Sequence, residues 1–152
     1  MLMLLFNLGS SQYAIPARDV AEVVPLVRLE PIAMAPEYVA GLFNYRGDQV
    51  PVIDLCQLVV SRASEISITT RLILVQHLGI SGDQNLLGLL AERVTETADL
   101  DPDAFSGTGI TIADAPFLGD VSHTDSGLIR KVHVNDLLPD FVQALLFSVE
   151  AG

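Results

Sequence analysis

Residues 38–55 read YVAGLFNYRGDQVPVIDL. Two apolar segments, Val39–Tyr45 and Val50–Leu55, flank the polar sequence Arg46-Gly47-Asp48. Apolar, β-branched runs on either side of such a short polar break are typical of a β-hairpin. Gly47 has no side chain to oppose the positive φ that a two-residue hairpin loop requires. The sequence therefore predicts a tight hairpin, and Asp54 is expected to end its second strand and cap the turn that follows.

The pattern of short apolar runs and turn residues extends along the rest of the chain. Such runs, rich in Val, Ile and Leu, predict the short strands of a β-barrel or sandwich rather than long helices. Helical periodicity is clearest over 139–149, and one or two helical turns are expected over 55–60. Residues 17–24 fit either a helix or a strand. The other predicted strands are Met1–Leu8, Tyr13–Ile15, Arg71–Leu78, Leu86–Leu90 and Leu128–Val134.

The two halves of the chain resemble each other, which indicates an internal repeat. The pair Leu8-Gly9 recurs 70 positions later, and residues 14–22 align with residues 88–96 at a shift of 74. Later matches, at shifts up to 79, are Phe43–Gly47 with Val121–Asp125, Leu55 with Val134 and Leu58 with Leu137. A duplication would give two small β units, each too small for a good core alone. Chance similarity between apolar strands is the alternative.

Composition excludes several classes of function. The chain has 152 residues, 8 basic and 19 acidic side chains, a net charge of −11 and 50% hydrophobic residues. Its acidity disfavours nucleic acid and direct docking on anionic membranes. Residues 94–129 contain seven acids and no Lys or Arg, and residues 99–115 are interpreted as an exposed loop. With one cysteine, no signal peptide and no apolar run of about 18 residues, we expect a cytoplasmic protein without disulfides or membrane spans.

Patterns that support catalysis or metal binding are weak. The three histidines lack the spacing of a metal site, and Cys56 lacks the local signature of a nucleophile. The acidic run from Asp99 resembles a calcium loop, but Ala104 replaces the required Gly and Ile110 occupies the position of the final acid. We therefore expect a non-catalytic protein without metal or cofactor. A small-molecule-binding or enzymatic β-barrel is the alternative.

The hairpin segment carries a resemblance to a known family. Residues 41–47 fit a Gly-x-x-Asn-x-Arg-Gly hairpin, and residues 50–55 read Val-Pro-Val-Ile-Asp-Leu. Both features are similar to the signature of CheW-like coupling proteins. Looser likeness at 12–24, 71–75 and 87–94 extends the resemblance over nearly the whole chain, although it is weaker after about residue 100.

The resemblance implies a mainly β fold in which two SH3-like, five-stranded β-barrels pack around a common apolar core, with a C-terminal helix. We expect a single domain over 1–152, with the first barrel near 10–68 and the second near 69–138. Residues 1–9 and 139–152 would then form a terminal strand and a helix that pack on the barrels. The internal repeat agrees with this expectation.

The resemblance also implies a function in bacterial signal transduction. Proteins of this family are non-catalytic cytoplasmic adaptors, recruited to receptor arrays at the inner membrane face. They couple the cytoplasmic tips of methyl-accepting chemotaxis receptors, bound in the groove between the barrels, to the regulatory domain of a histidine kinase, bound at the barrel ends. A scaffold of a non-flagellar pathway (surface sensing or pilus motility) and a scaffold that sequesters a kinase or methyltransferase are alternatives. Apolar barrel ends also allow a weak homodimer.

Six positions match residues through which the family is implied to bind partners. Arg46 is the strongest candidate, because its guanidinium forms forked hydrogen bonds and Arg is enriched at interface hot spots. Alternatively, Arg46 pairs with Glu22 and braces the hairpin. The glycines are expected to serve backbone geometry more than contact, and Val20 fits either core or interface. The hairpin of the second barrel, His123–Gly127, departs from the family pattern. The six candidates are Val20, Glu22, Gly41, Asn44, Arg46 and Gly47.

Overall fold

The computed structural model describes residues 1–79, 82, 84–106, 116–124 and 127–147. The helices in this part of the chain are α1 (Leu55–Val60), α2 (Asp140–Phe147) and three single 3-10 turns (Ala17–Asp19, Pro102–Ala104 and Val134–Asp136). The strands are β1 (Leu2–Leu8), β2 (Ser11–Pro16), β3 (Val20–Pro25), β4 (Val39–Tyr45), β5 (Asp48–Asp54), β6 (Arg71–Leu78), β7 (Gln84–Asp99), β8 (Leu118–Thr124) and β9 (Gly127–Val132).

These strands form two five-stranded groups that share β7. In the first barrel the order is β4-β5-β7-β6-β3, and in the second it is β7-β1-β2-β9-β8. Antiparallel hairpins build both groups, and each includes a parallel pair, β5 with β7 and β2 with β9. The arrangement confirms the predicted mainly β fold with two barrels and a C-terminal helix.

The barrels do not divide the chain between residues 68 and 69, where the sequence analysis placed their boundary. β1 and β2 lie in the second barrel, since β1 pairs with residues 92–99 of β7 and β2 pairs with β9. β3 crosses into the first barrel and pairs with β6. β7 makes the reciprocal crossing, because residues 84–91 pair with β6 and the strand then passes Arg93, whose φ is 50°. Residues 1–9 thus supply an integral barrel strand, not a strand packed on the outside.

The crossing of strands follows the internal repeat. The parallel pair of Ala14 with Lys131 corresponds to the pair of Gly88 with Val52, at the shifts of 74 and 79 seen in the sequence. The connections that lead into β4 and β8 also each form an antiparallel bridge to that strand. Each repeat therefore contributes strands to both barrels, so neither repeat buries its apolar surface without the other.

The main apolar core lies between the barrels and takes side chains from both. Phe6 and Ile15 enter it from the second barrel, and Ile53, Ile73 and Leu89 enter it from the first; all five are 0% exposed. Burying a side chain of this size stabilises the fold by about 1.5–3 kcal/mol. Because these contributions are shared, the barrels stabilise each other.

Two sequence predictions concern the C-terminal half. The helix predicted over 139–149 is present as α2, which buries Val142 but leaves Phe141 and Leu145 exposed, so its apolar face is only partly covered; residues 148 and 149 lie outside the described residues. Of the predicted acidic loop, residues 101–104 are exposed and 107–115 lie outside the described residues. Neither α1 nor α2, the α-helices of the described ranges, is long and apolar enough to cross a membrane.

Candidate partner-binding site

The β4–β5 hairpin closes with the two-residue loop that the sequence predicted. Tyr45 and Asp48 form its last pair, and the loop residues Arg46 and Gly47 have φ of 52° and 91°. Two positive φ values are those of a type I′ turn, whose twist matches that of the strands. The Asn44 Oδ1 accepts a hydrogen bond from the Gly47 amide at 2.8 Å. Asn44 and Gly47 therefore shape the turn, and Arg46 lies at its tip.

Glu22, on β3, receives two side chains from this hairpin. The Tyr45 hydroxyl donates to its Oε2, and the Arg46 Nη2 lies 3.5 Å from its Oε1. The Arg46 Cζ also lies 4.9 Å from the centre of the Tyr45 ring, in cation–π geometry. The hydrogen bond to Glu22 is the main cause of a raised pKa of Tyr45. We refer to Glu22, Asn44, Tyr45, Arg46 and Gly47 as the hairpin cluster.

Arg46 is held at this place but remains available to a partner. Its side chain is 75% exposed, against 36% for Glu22. An exposed ion pair at 3.5 Å contributes little to stability, because solvent screens it. The pairing with Glu22 that the sequence offered as an alternative is present, and most of the Arg46 side chain still faces solvent.

The other two candidates lie outside the hairpin cluster. Val20 is half-buried on β3 and packs against the main core; the pairing of β3 with β6 shifts between Val20 and Glu22, so the two do not share a face of the strand. Gly41 is buried in β4 with a φ of +145°, and a Cβ there would lie 2.6 Å from the Glu30 carbonyl oxygen. The Glu30 amide and carbonyl pair with those of Leu42 at 2.8 Å each. Gly41 thus allows the backbone at Glu30 to lie close to β4, which agrees with the role in backbone geometry expected for this glycine.

Two polar networks lie outside the hairpin cluster. Asp54 ends β5 and caps α1 as predicted: its Oδ1 accepts from the Cys56 and Gln57 amides, and Ser64 donates its amide at 2.9 Å and its hydroxyl at 2.6 Å to this carboxylate. Glu92, 8% exposed at the crossing of β7, forms the second network.

Glu92 joins three segments that are distant in sequence. It accepts from Arg62 at 3.1 and 3.2 Å, from the Glu65 amide at 2.7 Å and from the Gly9 amide at 3.2 Å. Burial opposes ionisation of this carboxyl, but the hydrogen bonds from Arg62, Glu65 and Gly9 outweigh it and hold the pKa of Glu92 below its ordinary value. The network fixes the α1–β6 loop against the β1–β2 turn.

Sequence reasoning missed Tyr45 and the Glu92 network. Tyr45 had one available signal, since a tyrosine next to the loop arginine brings both a hydroxyl and a ring to the turn. Glu92 carried no such signal, because its partners lie 27 to 83 positions away.

Comparison with known proteins assigns this arrangement to a family. A family model described as the CheW-like domain matches residues 2–142, from β1 into α2 and across both barrels. The chain belongs to the CheW-like domain family. The resemblance first noticed in the hairpin therefore extends over the fold as a whole.

Proteins similar in sequence to this chain include a chemotaxis protein and a protein named PilI. The chemotaxis protein CheW of Helicobacter pylori is 30% identical over 102 residues, which are 64% of this chain and 59% of that protein. The protein PilI of Pseudomonas aeruginosa is 26% identical over 122 residues, which are 79% of this chain and 66% of PilI. The chain thus spans less than two thirds of the length of these relatives. The crystal structure of the scaffolding protein TtCheW of Thermoanaerobacter tengcongensis matches with a TM-score of 0.79 at 28% identity, covering 91% of this chain and 87% of that one.

Two titratable groups of this CheW-like chain outside the hairpin cluster, Cys56 and His77, lie in its core. Cys56 is a buried thiol whose pKa is raised mainly by burial. His77 is 0% exposed, stacks on Phe147 at 5.6 Å and has neither ring nitrogen hydrogen-bonded within the described part of the chain. His133 borders a shallow, open depression of about 180 Å³. Among the described residues, no three His, Cys, Asp or Glu side chains are grouped as metal ligands would be.

Proposed function

We propose that this CheW-like chain is a non-catalytic coupling adaptor that joins the cytoplasmic tip of a methyl-accepting chemotaxis receptor to the regulatory domain of a histidine kinase. The observation that carries the proposal is the family match across residues 2–142. The structural similarity to a scaffolding protein supports it. Such an adaptor acts through binding surfaces rather than through a reaction centre.

The hairpin cluster supports a binding role for Arg46. The tight turn and the ring of Tyr45 limit the conformations of Arg46, whereas its side chain is 75% exposed. A side chain that is ordered before binding loses less entropy when a partner contacts it. Arg is also among the residues that contribute most at interface centres. Val20 and Glu22 would add further contacts from β3.

Calorimetry with the cognate kinase regulatory domain and with a receptor-tip fragment tests the proposal. The wild-type chain should bind at least one of them, and Arg46→Glu should weaken that binding about tenfold or more. The matched control is Arg93→Glu, which makes the same charge change at an exposed residue outside the hairpin cluster. If the wild-type chain binds neither partner, the adaptor function is refuted. If both variants bind like wild type, Arg46 is not a contact residue.

Coupling requires more than binding, so a reconstituted kinase assay completes the test. Addition of the chain to receptor and kinase should raise kinase autophosphorylation, and a fluorescent fusion should gather at cytoplasmic receptor arrays. Binding without kinase activation would instead indicate a sequestering scaffold. Deletion of the gene, scored separately for swimming and for surface motility, identifies the pathway.

A further inference from the structure

Tyr45 lies where the first barrel has no strand ladder to close it. β3 is paired with β6, and β4 is paired with β5, so these two strands form the edges of the sheet order β4-β5-β7-β6-β3. Tyr45 is the last residue of β4, and its hydroxyl reaches Glu22 on β3. Its ring is flanked by Phe43, with ring centroids 6.1 Å apart, and by the guanidinium of Arg46. The side chain thus contacts both edge strands and the loop.

The hydroxyl of Tyr45 and the guanidinium of Arg46 share the carboxylate of Glu22. An arginine and a carboxylate prefer a forked geometry with two parallel hydrogen bonds. Here the hydroxyl takes one of the two acceptor sites of Oε2 on Glu22, and Arg46 contacts only Oε1, through Nη2 at 3.5 Å. That distance is the weak limit of a hydrogen bond. The other N–H donors of Arg46 have no hydrogen bond to Glu22, while the Tyr45 ring supports the guanidinium from one side.

We propose that Tyr45 is a positioning residue that keeps Arg46 out of a forked ion pair with Glu22 and presents its free N–H groups to a carboxylate of the binding partner. The partner half of this inference rests on the proposed adaptor function. A carboxylate is the matching group, because the planar guanidinium binds it through two parallel bonds. Tyr45→Phe keeps the ring but removes the hydroxyl that competes with Arg46 for this carboxylate, so Arg46 should close onto Glu22.

Nuclear magnetic resonance of the free protein tests the intramolecular half. In wild type, the Arg46 Nε–H should exchange rapidly with water, and in Tyr45→Phe it should exchange more slowly as the forked pair forms. Glu22→Gln should lower the pKa of Tyr45. The titration that belongs to Tyr45 is identified by its absence from Tyr45→Phe. Unchanged Arg46 exchange in Tyr45→Phe would overturn the proposal, whatever the partner experiments show.

Calorimetry tests the presentation of Arg46 to a partner. Tyr45→Phe should weaken binding of the receptor tip or kinase domain about fivefold, the size of effect expected when one exposed ion pair competes with another. Glu22→Gln added to Tyr45→Phe should restore binding to the level of Glu22→Gln alone, because a neutral amide does not hold the guanidinium as a carboxylate does. Tyr38→Phe is the control for loss of a hydroxyl elsewhere. Full binding by Tyr45→Phe, or no recovery in the double variant, would refute the inference. Failure of wild type to bind would refute the adaptor function and, with it, the presentation of Arg46 to a partner.

Discussion

Replacement of Glu92 by Ala should destabilise the chain strongly, because one buried carboxylate holds three segments together. The variant removes the acceptor of the Gly9 and Glu65 amides and of Arg62. A donor that loses its partner in a buried place costs about 1–3 kcal/mol. Two backbone amides, partly rehydrated in the variant, give an expected loss of about 2–4 kcal/mol in the free energy of unfolding. Loss of the Arg62 contact adds less, since that side chain is 43% exposed.

Urea unfolding at pH 7, followed by circular dichroism, measures this loss by linear extrapolation. Glu96→Ala is the control, because Glu96 lies on the same strand but is exposed. The lowered pKa of Glu92 adds a second check. A carboxyl whose pKa is lower in the folded chain than in the unfolded chain stabilises the fold fully at pH values above the unfolded pKa. This contribution is lost as the pH falls through the folded pKa. The difference between wild type and Glu92→Ala should therefore shrink in acid. Equal unfolding midpoints for Glu92→Ala and Glu96→Ala would refute this account of the network.

Two further perturbations test other parts of the structure. Burial lowers the pKa of His77, and the charge of Asp136 opposes this only in part. At pH values below about 6.5 the unfolded chain therefore takes up a proton on His77 that the folded chain does not. The free energy of unfolding of the wild type should decrease there by up to about 1.4 kcal/mol per pH unit. His77→Leu should remove that slope in thermal melts from pH 7.5 to 5.5, and an unchanged slope would contradict the assignment. Gly41→Ala should cost about 2–4 kcal/mol, because its Cβ meets Glu30 in a left-handed backbone. Gly47→Ala, at a site with open space, should cost less in the same urea titration, and the reverse order would be contrary evidence.

The local parts of the fold could be predicted from the sequence because their causes are local. A polar loop with Gly47 between apolar runs determines the hairpin, and Asp54 determines the start of α1 through its own side chain. The barrel boundary could not be predicted in this way. Pairing of β1 with the far half of β7 joins residues more than 80 positions apart, and no period in the sequence records which sheet a strand enters. The internal repeat indicates only the correspondence, since aligned positions of the two copies occupy matching places in opposite barrels.

The same distinction between local and long-range causes applies to the residues of the candidate site. Asn44, Arg46 and Gly47 are neighbours in sequence, so their common turn was predictable. That Glu22 joins them depends on β3 crossing into the first barrel, and only the resemblance to CheW-like proteins brought it into the candidate set. Tyr45 was outside that set, because its importance comes from a hydrogen bond across two unpaired strand edges.

Arg46 is a poor choice for its turn, and this bears on the two roles that the sequence left open. Its φ of 52° is one that Gly, Asn or Asp adopts with less strain. The bond to Glu22 does not repay that strain, because it is 3.5 Å long and the side chain is 75% exposed. Tyr45 already links β4 to Glu22 without help from Arg46. A residue that does not favour its turn and adds only weak, exposed contacts to its fold is best explained by a contact outside the chain, so we assign the bracing of the hairpin to Tyr45 and propose the partner contact for Arg46.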